Sequence, residues 1–363
     1  MRASPLATIL ALGFVVAADA PPAQAADAVR TLKVELTGQE AARFAVENLA
    51  GTMRISAGSG PAVEVVATVY GESQELADAV RLERVNQGSG AATLRVRYPY
   101  DKISTLQYRE PSSDGYDGWS ISSSSSYDYD GHRVRVNRGH GTRLHADLEV
   151  RVPPARVQAR FSNLLGLVEA RGISGELGFT VSSADLRLSE LDGNLVLEGS
   201  SGDIRARDIK GSWKSDFSSG DVDLVGFNGE TLSFQTSSGD ILLRSVRASR
   251  ATFETSSGDV SVRDADLAEF TASATSGDVA LESVGSALKV VRITTSSGDV
   301  RLRLPSDAAF EVDADQSSGD MEVDFSGGTA VHHGETLIGY RHGTGGARIR
   351  VQTSSGDLSV SPG

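Results

Sequence analysis

The chain has 363 residues, no cysteine, 39 glycines and a formal net charge of −13 at pH 7. The lack of cysteine excludes structural disulfides and thiolate metal sites, and the acidic balance argues against nucleic acid as a partner, since nucleic-acid-binding domains carry a basic face. The many glycines and few aromatic residues indicate numerous turns and thin, repetitive packing.

The first 25 residues have the pattern of a secretory signal peptide. Met1 and Arg2 precede an apolar run over 6–18, and Ala23 and Ala25 supply the small residues at a signal peptidase site. The run is too short to span a bilayer, and no later stretch reaches the roughly 18 consecutive apolar residues of a membrane helix. We therefore expect an exported protein without a membrane span, located in the periplasm, on the cell surface or outside the cell.

Residues 26–153 are predicted to form an N-terminal β region. The residues around Gly51 resemble one unit of the repeat described below, and residues 63–67, 94–96 and 148–152 alternate as strands do. Residues 98–141 lack this alternation and hold six of the eight tyrosines, so they are predicted to form a long exposed inserted loop.

The inserted loop has the composition of a binding loop, in which tyrosine provides contact area and serine adapts to the ligand. Its candidate binding side chains are Tyr108, Tyr116, Trp119, Tyr127 and Tyr129. A mobile insertion without a ligand is the alternative, because exposed loops accept such sequences freely.

A tetrad, Ser-Ser-Gly-Asp, recurs through residues 154–363 with a period of 18 to 21 residues. Its aspartates, the first in a Ser-Ser-Ala-Asp variant and the sixth in a Thr-Ser-Gly-Asp variant, are Asp185, Asp203, Asp221, Asp240, Asp259, Asp278, Asp299, Asp320 and Asp357. The wider gap before Asp357 fits one repeat plus an inserted loop over 326–346. An unmarked repeat is expected before Asp185, with Leu167 at the aspartate position. A period in this range is typical of a solenoid.

Apolar residues lie one and three positions after every aspartate and, apart from Ser215, six and eight positions before it. This alternation predicts two short strands per repeat, each with one buried face, and units so small must stack to form a core. We therefore predict an all-β fold, a parallel β-helix-like β-solenoid of about ten coils. At roughly 4.8 Å per coil the rod would be about 50 Å long. A sandwich of antiparallel hairpins is the competing geometry, and identical corner residues favour stacking.

Two interpretations of the tetrad are open. As a turn, its glycine supplies a positive φ while serine and aspartate bind turn amides. The alternative is a calcium ladder along Asp203, Asp221, Asp240, Asp259, Asp278 and Asp299. Calcium requires about six to eight oxygen ligands, and known calcium repeats add a second ligand position that is missing from this period. Turn chemistry is therefore preferred, and no metal or cofactor is predicted.

Outward positions four residues after the aspartates form a candidate ligand face. The arginines at these positions are Arg207, Arg244, Arg263 and Arg303. Guanidinium groups on one face could hold an anionic polymer such as an envelope polysaccharide. Acidic residues such as Glu282 interrupt the column, so lateral ion pairs on a solvated surface are the alternative.

Little sequence follows Val360, so the last coil is expected to present an open strand edge. Open edges recruit further strands unless they are covered. Either the insertion over 326–346 folds over this edge, or a second copy or another envelope protein adds a strand there.

Several segments together resemble the bacterial DUF4097 family, whose members are described as adhesins. They are an F-x-V-x-N strand at 44–48, LEVRVPP at 148–154, the serial SSGD turns, and GGARIRVQTSSGDLSV at 345–360. The resemblance covers nearly all of the predicted mature chain. It implies an exported, β-helix-like envelope protein and supplies no catalytic residues.

The expected function is that of an exported, non-catalytic envelope protein, an adhesin-like binding or structural solenoid. Envelope polysaccharide or another envelope protein is the expected partner. No nucleophile elbow, phosphate loop or zinc signature occurs in the sequence. One alternative is a polysaccharide lyase or hydrolase, for which Glu282 between Arg263 and Arg303 is the available arrangement. A scaffold or sensor for envelope stress is the other.

Overall fold

The computed structural model describes residues 28–86, 91–108, 125–137 and 139–363, so the predicted signal peptide, 1–25, lies outside the described residues. Of the described residues, 75% lie in strands and 3% in helices. The helices are α1 (Gln39–Ala42) and α2 (Gln74–Ala79). The strands of the first part are β1 (Ala28–Leu36), β2 (Arg43–Ala57), β3 (Val63–Gly71), β4 (Arg81–Asn86), β5 (Ala92–Arg97), β6 (Thr105–Gln107), β7 (Ser125–Tyr129), β8 (His132–Asn137) and β9 (Thr142–Val152).

The repeat region supplies the other strands. They are β10 (Val157–Arg171), β11 (Ser174–Ser189), β12 (Asp192–Ser201), β13 (Ile204–Ser219), β14 (Val222–Ser238), β15 (Ile241–Ser257), β16 (Val260–Ser276), β17 (Val279–Val284), β18 (Val290–Ser297), β19 (Val300–Leu304), β20 (Phe310–Ser318), β21 (Met321–Val323), β22 (Thr329–His333), β23 (Thr336–His342), β24 (Ala347–Ser355) and β25 (Leu358–Pro362).

Each coil has a strand before the tetrad corner, the pre-corner strand, and a strand after it, the post-corner strand. Neighbouring coils pair in parallel and in register: between β14 and β15, Val222 faces Ile241 and Phe234 faces Phe253. Equivalent apolar side chains therefore stack in columns and form one continuous core. The predicted β-solenoid is confirmed, because parallel pairing of whole repeats is incompatible with a sandwich of hairpins.

Ser215, the exception in the apolar pattern, is explained by its neighbour Trp213. Both residues are buried, and the Trp213 ring meets the Phe234 ring edge-on, with centroids 5.0 Å apart. Phe234 lies in register with Ser215 in the next coil. The indole therefore takes the space that a larger residue at position 215 would fill, since cores are packed to nearly constant density.

The described residues form twelve coils. Counted from the N-terminal end of the rod, the residues at the aspartate position of the corner are Asp147, Thr52, Leu167, Asp185, Asp203, Asp221, Asp240, Asp259, Asp278, Asp299, Asp357 and Asp320. We number them coils 1 to 12. The order departs from chain order at both ends of the rod.

Coils 1 and 2 come from the predicted N-terminal region. β2 is coil 2, and it pairs on its outer side with β5 and β9, which together make coil 1. The corner of coil 1 is Asp147, whose Oδ1 accepts a hydrogen bond from the Thr52 backbone N–H at 2.8 Å. Beyond coil 1, β3 and β1 continue the post-corner sheet and β4 continues the pre-corner sheet, all in antiparallel pairing.

At the other end, the coil of Asp357 lies inside the stack. β24 pairs in parallel with both β18 and β20, and β25 pairs with both β19 and β21. The prediction that this coil presents an open edge was wrong, because the chain doubles back and inserts it between coils 10 and 12. Coil 12 is the terminal coil, and residues 326–346 form the hairpin β22–β23. β23 pairs with Phe310–Asp313 and covers part of its edge.

The coil order predicts which engineered cysteines form a disulfide in this cysteine-free chain. Ser355 is in register with both Ser297 and Ser318. The pair Ser297→Cys with Ser355→Cys therefore has a Cα separation of about 4.8 Å, within the range of a disulfide. The pair Ser297→Cys with Ser318→Cys is two coils, roughly 10 Å, apart and should stay reduced. Thiol titration after mild oxidation distinguishes the two pairs, and cross-linking of the second pair alone would mean that the coils stack in chain order.

Candidate functional site

The corner aspartates form a hydrogen-bonded ladder along one ridge of the rod. From coil 4 to coil 11, the Oδ1 atom of each aspartate accepts the backbone N–H of the aspartate in the next coil, as from Asp240 to Asp221 and from Asp259 to Asp240, both at 2.9 Å. The ladder follows the order of the coils, because Asp357 donates to Asp299 at 3.0 Å and Asp320 donates to Asp357 at 2.9 Å. Each carboxylate thus satisfies a corner amide that no strand partner reaches.

The geometry of this ladder supports turn chemistry for the six aspartates considered as calcium ligands. In Asp203, Asp221, Asp240, Asp259, Asp278 and Asp299, Oδ1 is already an acceptor for a backbone N–H. Within the described ranges, no three histidine or carboxylate side chains converge as the ligands of a cation do.

The corners of coils 2 to 4 are covered by the insertion that contains β6, β7 and β8. Tyr127 donates a hydrogen bond from its hydroxyl to Ser183 Oγ at 3.1 Å, and Tyr129 donates to the Val96 carbonyl at 2.8 Å. Burial raises the pKa of the Tyr129 hydroxyl. Burial also raises the pKa of the nearby Asp185, and the charge of Asp203 adds to this shift.

The prediction of an exposed binding loop was therefore wrong for three of its residues. Tyr108, Tyr127 and Tyr129 are 3%, 9% and 6% exposed. The physical reason is that the corners beneath them are apolar, with Leu49 and Leu165 fully buried, and need a cover. The other two, Tyr116 and Trp119, lie outside the described residues.

The outward side of the post-corner sheet carries two straight columns of side chains, two and four residues after the aspartate position. The second column contains the predicted set: Arg207, Val225, Arg244, Arg263 and Glu282 are in register in consecutive coils. Arg303 follows one coil later and is within 3.9 Å of Glu282. Its other neighbour is Ser361 of coil 11.

The first column adds arginines that the sequence prediction missed. Over coils 2 to 10, the two columns hold Arg54, Arg171, Arg187, Arg205, Arg207, Arg244, Arg263, Arg301 and Arg303. We call these nine residues the arginine face. The acids in the same columns and coils are Glu169, Asp223 and Glu282. Over coils 2 to 10, the two columns therefore carry nine positive and three negative side chains, an excess of six positive charges, whereas the net charge of the whole chain is −13.

The acids of the arginine face hold several of its arginines by ion pairs. Glu169 lies 3.0 Å from Arg54 and 3.4 Å from Arg187. Asp223 lies 2.8 Å from Arg244, and Glu282 lies 3.1 Å from Arg263.

Two other arginines pair with acids beside the columns, Arg171 with Glu190 at 2.9 Å and Arg205 with Asp203 at 3.4 Å. Among the described residues, Arg207 and Arg301 have no carboxylate within ion-pairing distance. The face thus combines guanidinium groups held in position with groups open to a ligand.

An open groove of 790 Å³ lies at the N-terminal end of the arginine face. Its charged lining residues are five arginines and three acids: Arg54, Arg171, Arg187, Arg205, Arg207, Glu169, Asp208 and Asp223. Its volume is in the range of ligand pockets, and its excess of guanidinium groups fits an anionic ligand.

The model of the Toastrack DUF4097 family matches residues 146–361, more than half of the chain. The protein belongs to this family. The Toastrack match begins one residue before Asp147, so it includes the coil 1 corner as well as the marked repeats. Among curated proteins, none matches the chain.

Three solved structures are similar to this Toastrack chain. One, from Parabacteroides distasonis, is described as a "putative lipid binding protein"; identity is 11%, the TM-score is 0.39, and the match covers 92% of this chain and 96% of the other. A "putative adhesin" from Bacteroides fragilis has 11% identity and a TM-score of 0.36, with 91% and 97% covered. A "putative adhesin" from Parabacteroides distasonis has 10% identity and a TM-score of 0.36, with 92% and 97% covered.

The helices of this Toastrack protein are short. In the described part of the chain, none has the length and apolar character needed to cross a membrane.

Proposed function

We propose that this protein is an exported, non-catalytic envelope protein that binds an anionic polymer, such as an acidic envelope polysaccharide, through the arginine face. The observation that carries the proposal is the charge of that face. Nine arginines and three acids occupy two straight columns on one side of a chain that is acidic overall. Like charges concentrated on one side repel one another, and an anionic partner bound there would offset this repulsion.

The side chains suit a polymer that carries carboxylate or phosphate groups. Every basic residue on the face is arginine, whose planar guanidinium donates two parallel hydrogen bonds to such a group. The stacked coils hold the columns straight, so neighbouring guanidinium groups are already placed for successive charges of a chain. A ligand that meets preplaced groups loses less conformational entropy on binding.

Export is part of the proposal because of the sequence before the described residues. The pattern over 1–25 is that of a secretory leader, and a cysteine-free solenoid with a continuous core does not depend on disulfides in any compartment. An exported rod with a cationic side would meet acidic polymers of the envelope directly.

Binding of the purified protein to polygalacturonate, with neutral dextran as reference, tests the proposal. We expect the protein to retain polygalacturonate alone. Replacing Arg207, Arg244, Arg263 and Arg303 by alanine should weaken this binding about 30-fold, since exposed charge contacts contribute roughly 0.5 kcal/mol each. The matched control removes four exposed arginines from pre-corner strands: Arg160, Arg250, Arg292 and Arg350.

Two outcomes would contradict the proposal. Equal losses in the two quadruple variants would mean that binding follows net charge and not the arginine face. Release of shortened or unsaturated oligosaccharides by the wild-type protein would favour the enzyme alternative, in which Glu282 acts between Arg263 and Arg303.

A further inference from the structure

We propose that the ligand is a linear, carboxylate-bearing polysaccharide that lies along the axis of the rod, and that Asp223 and Glu282 are internal competitors that limit its affinity. This inference rests on the proposed function of the arginine face. It adds the orientation of the polymer, the length that it needs and the residues that weaken its binding.

Eight of the nine arginines fall into three groups along the axis, and the ninth, Arg54 of coil 2, is paired with Glu169 beyond group 1. Group 1 is Arg171, Arg187, Arg205 and Arg207 in coils 3 to 5, group 2 is Arg244 and Arg263 in coils 7 and 8, and group 3 is Arg301 and Arg303 in coil 10. Asp223 in coil 6 separates groups 1 and 2, and Glu282 in coil 9 separates groups 2 and 3. The centres of neighbouring groups are about three coils, roughly 14 Å, apart.

This arrangement distinguishes between two orientations of a polymer. A chain that lies parallel to the strands crosses the face within one or two coils and meets a single group. A chain that lies along the axis meets all three groups over roughly 28 Å. Contacts made by one molecule with successive groups add as multivalent binding does, so the axial orientation is the stable one.

The two separating acids are already bound by the arginines of groups 2 and 3. The Asp223 carboxylate accepts from Arg244 Nη2 at 2.8 Å. The Glu282 carboxylate lies between Arg263 Nε at 3.1 Å and Arg303 Nε at 3.9 Å, and its side chain is only 16% exposed. An anion that binds these guanidinium groups therefore competes with Asp223 and Glu282 for their N–H donors.

The same contacts indicate the chemistry of the ligand. Asp223 and Glu282 present carboxylates to the face, and the arginines pair with both. A polymer of uronate-type sugars repeats this carboxylate group along its length and can replace the internal acids one for one. Acidic polysaccharide is thus preferred over a compact anion, which would occupy one group only.

The experiment measures the affinity of the purified protein for oligogalacturonides graded in length. We expect weak binding for oligomers shorter than the gap between two groups, and an increase of roughly tenfold each time the length allows another group to be reached. Replacing Arg244 and Arg263 by alanine should remove the increase at intermediate length and leave the shortest oligomers unaffected.

Glu282→Gln supplies the second readout. It preserves the shape of the side chain and removes its charge, so Arg263 and Arg303 become free for the ligand, and we expect the long oligomers to bind about three-fold more tightly. Asp223→Asn should act in the same direction. The control Glu254→Gln makes the same charge change at an exposed position in a pre-corner strand and should have a smaller effect. Thermal unfolding of each variant establishes that it is folded.

The outcomes separate this inference from the proposed function. If oligomers of every length fail to bind, the proposed function is wrong. If they bind with an affinity that does not depend on length, or if Glu282→Gln leaves the affinity unchanged or lowers it, only the axial orientation and the competitor role are wrong.

Discussion

Replacing Gly258 by alanine is expected to destabilise the protein by about 4 kcal/mol or more, an effect in the range of severe core defects. Gly258 is the corner glycine of coil 8 and has a φ of +142°. A Cβ atom at this position would lie 2.2 Å from the carbonyl oxygen of Gly239 and 2.7 Å from its carbonyl carbon. Because the obstacle is backbone of the neighbouring coil, no side-chain rotation relieves it, and the two coils must separate at the corner.

Gly334 is the matched control for this substitution. It also has a positive φ, +66°, but no atom lies within 4 Å of the position of its Cβ. Gly334→Ala should therefore cost only the conformational penalty of about 1 kcal/mol. Urea denaturation followed by circular dichroism compares the two variants, and similar midpoints would contradict the tight corner. The Gly258 variant should also lose affinity for polyanions, since Arg263 of the same coil depends on the register for its place in the arginine face.

The regular coils were predictable because one strong pattern determines them. Buried residues at fixed distances from each aspartate, such as Leu224 three residues after Asp221 and Phe234 six residues before Asp240, mark the inward face of every strand. Identical corners pair with identical corners, so register followed from the sequence alone. Four of the nine residues of the arginine face were predicted for the same reason, because positions four residues after the aspartate were recognised as an outward column. Positions two residues after the aspartate form an outward column in the same way, and its arginines, such as Arg187 and Arg205, were missed.

Coils 2 and 3 were expected from the residues around Gly51 and from Leu167, and both expectations are confirmed, whereas coil 1 was not predicted. Thr52 and Leu167 replace the aspartate in coils 2 and 3, where tyrosines of the insertion exclude solvent and a polar tetrad is not needed. The signal that could have revealed coil 1 is the sequence Ala146-Asp147-Leu148, in which an apolar residue follows the aspartate as it does in the marked repeats. The insertion over 98–141 separates this corner from its pre-corner strand β5 and hides the period.

The exchange of the last two coils has a different cause. The corners at Asp320 and Asp357 have the same sequence pattern, and either coil can stack on the coil of Asp299 in the same register. Local pattern therefore carries no information about their order. In the observed order, β23 of the hairpin β22–β23 pairs with β20 on the outer side of coil 12.

At the covered corners, buried backbone and side-chain polar groups need hydrogen-bond partners within the protein, and Asn163 supplies them in coil 3. Its Nδ2 donates to the Gly51 carbonyl at 2.8 Å and to the Leu165 carbonyl at 3.0 Å, while its Oδ1 accepts from Asn48 Nδ2 at 2.9 Å. Asn48 Nδ2 also donates to the Ala146 carbonyl at 2.8 Å. These two amides tie coils 1, 2 and 3 together at the corners where Thr52 and Leu167 stand in place of an aspartate.

Asn163→Ala is expected to destabilise the protein by about 4 kcal/mol, because buried acceptors and one amide donor of Asn48 lose their partner at roughly 1 to 3 kcal/mol each. The control Asn194→Ala removes an exposed amide from the outward side of β12 and should change stability by less than about 0.5 kcal/mol. Combining Asn48→Ala with Asn163→Ala should cost less than the sum of the single changes, because the two side chains share one hydrogen bond. Additive costs in this double-mutant cycle would mean that the two asparagines stabilise their coils independently and that their shared hydrogen bond contributes nothing.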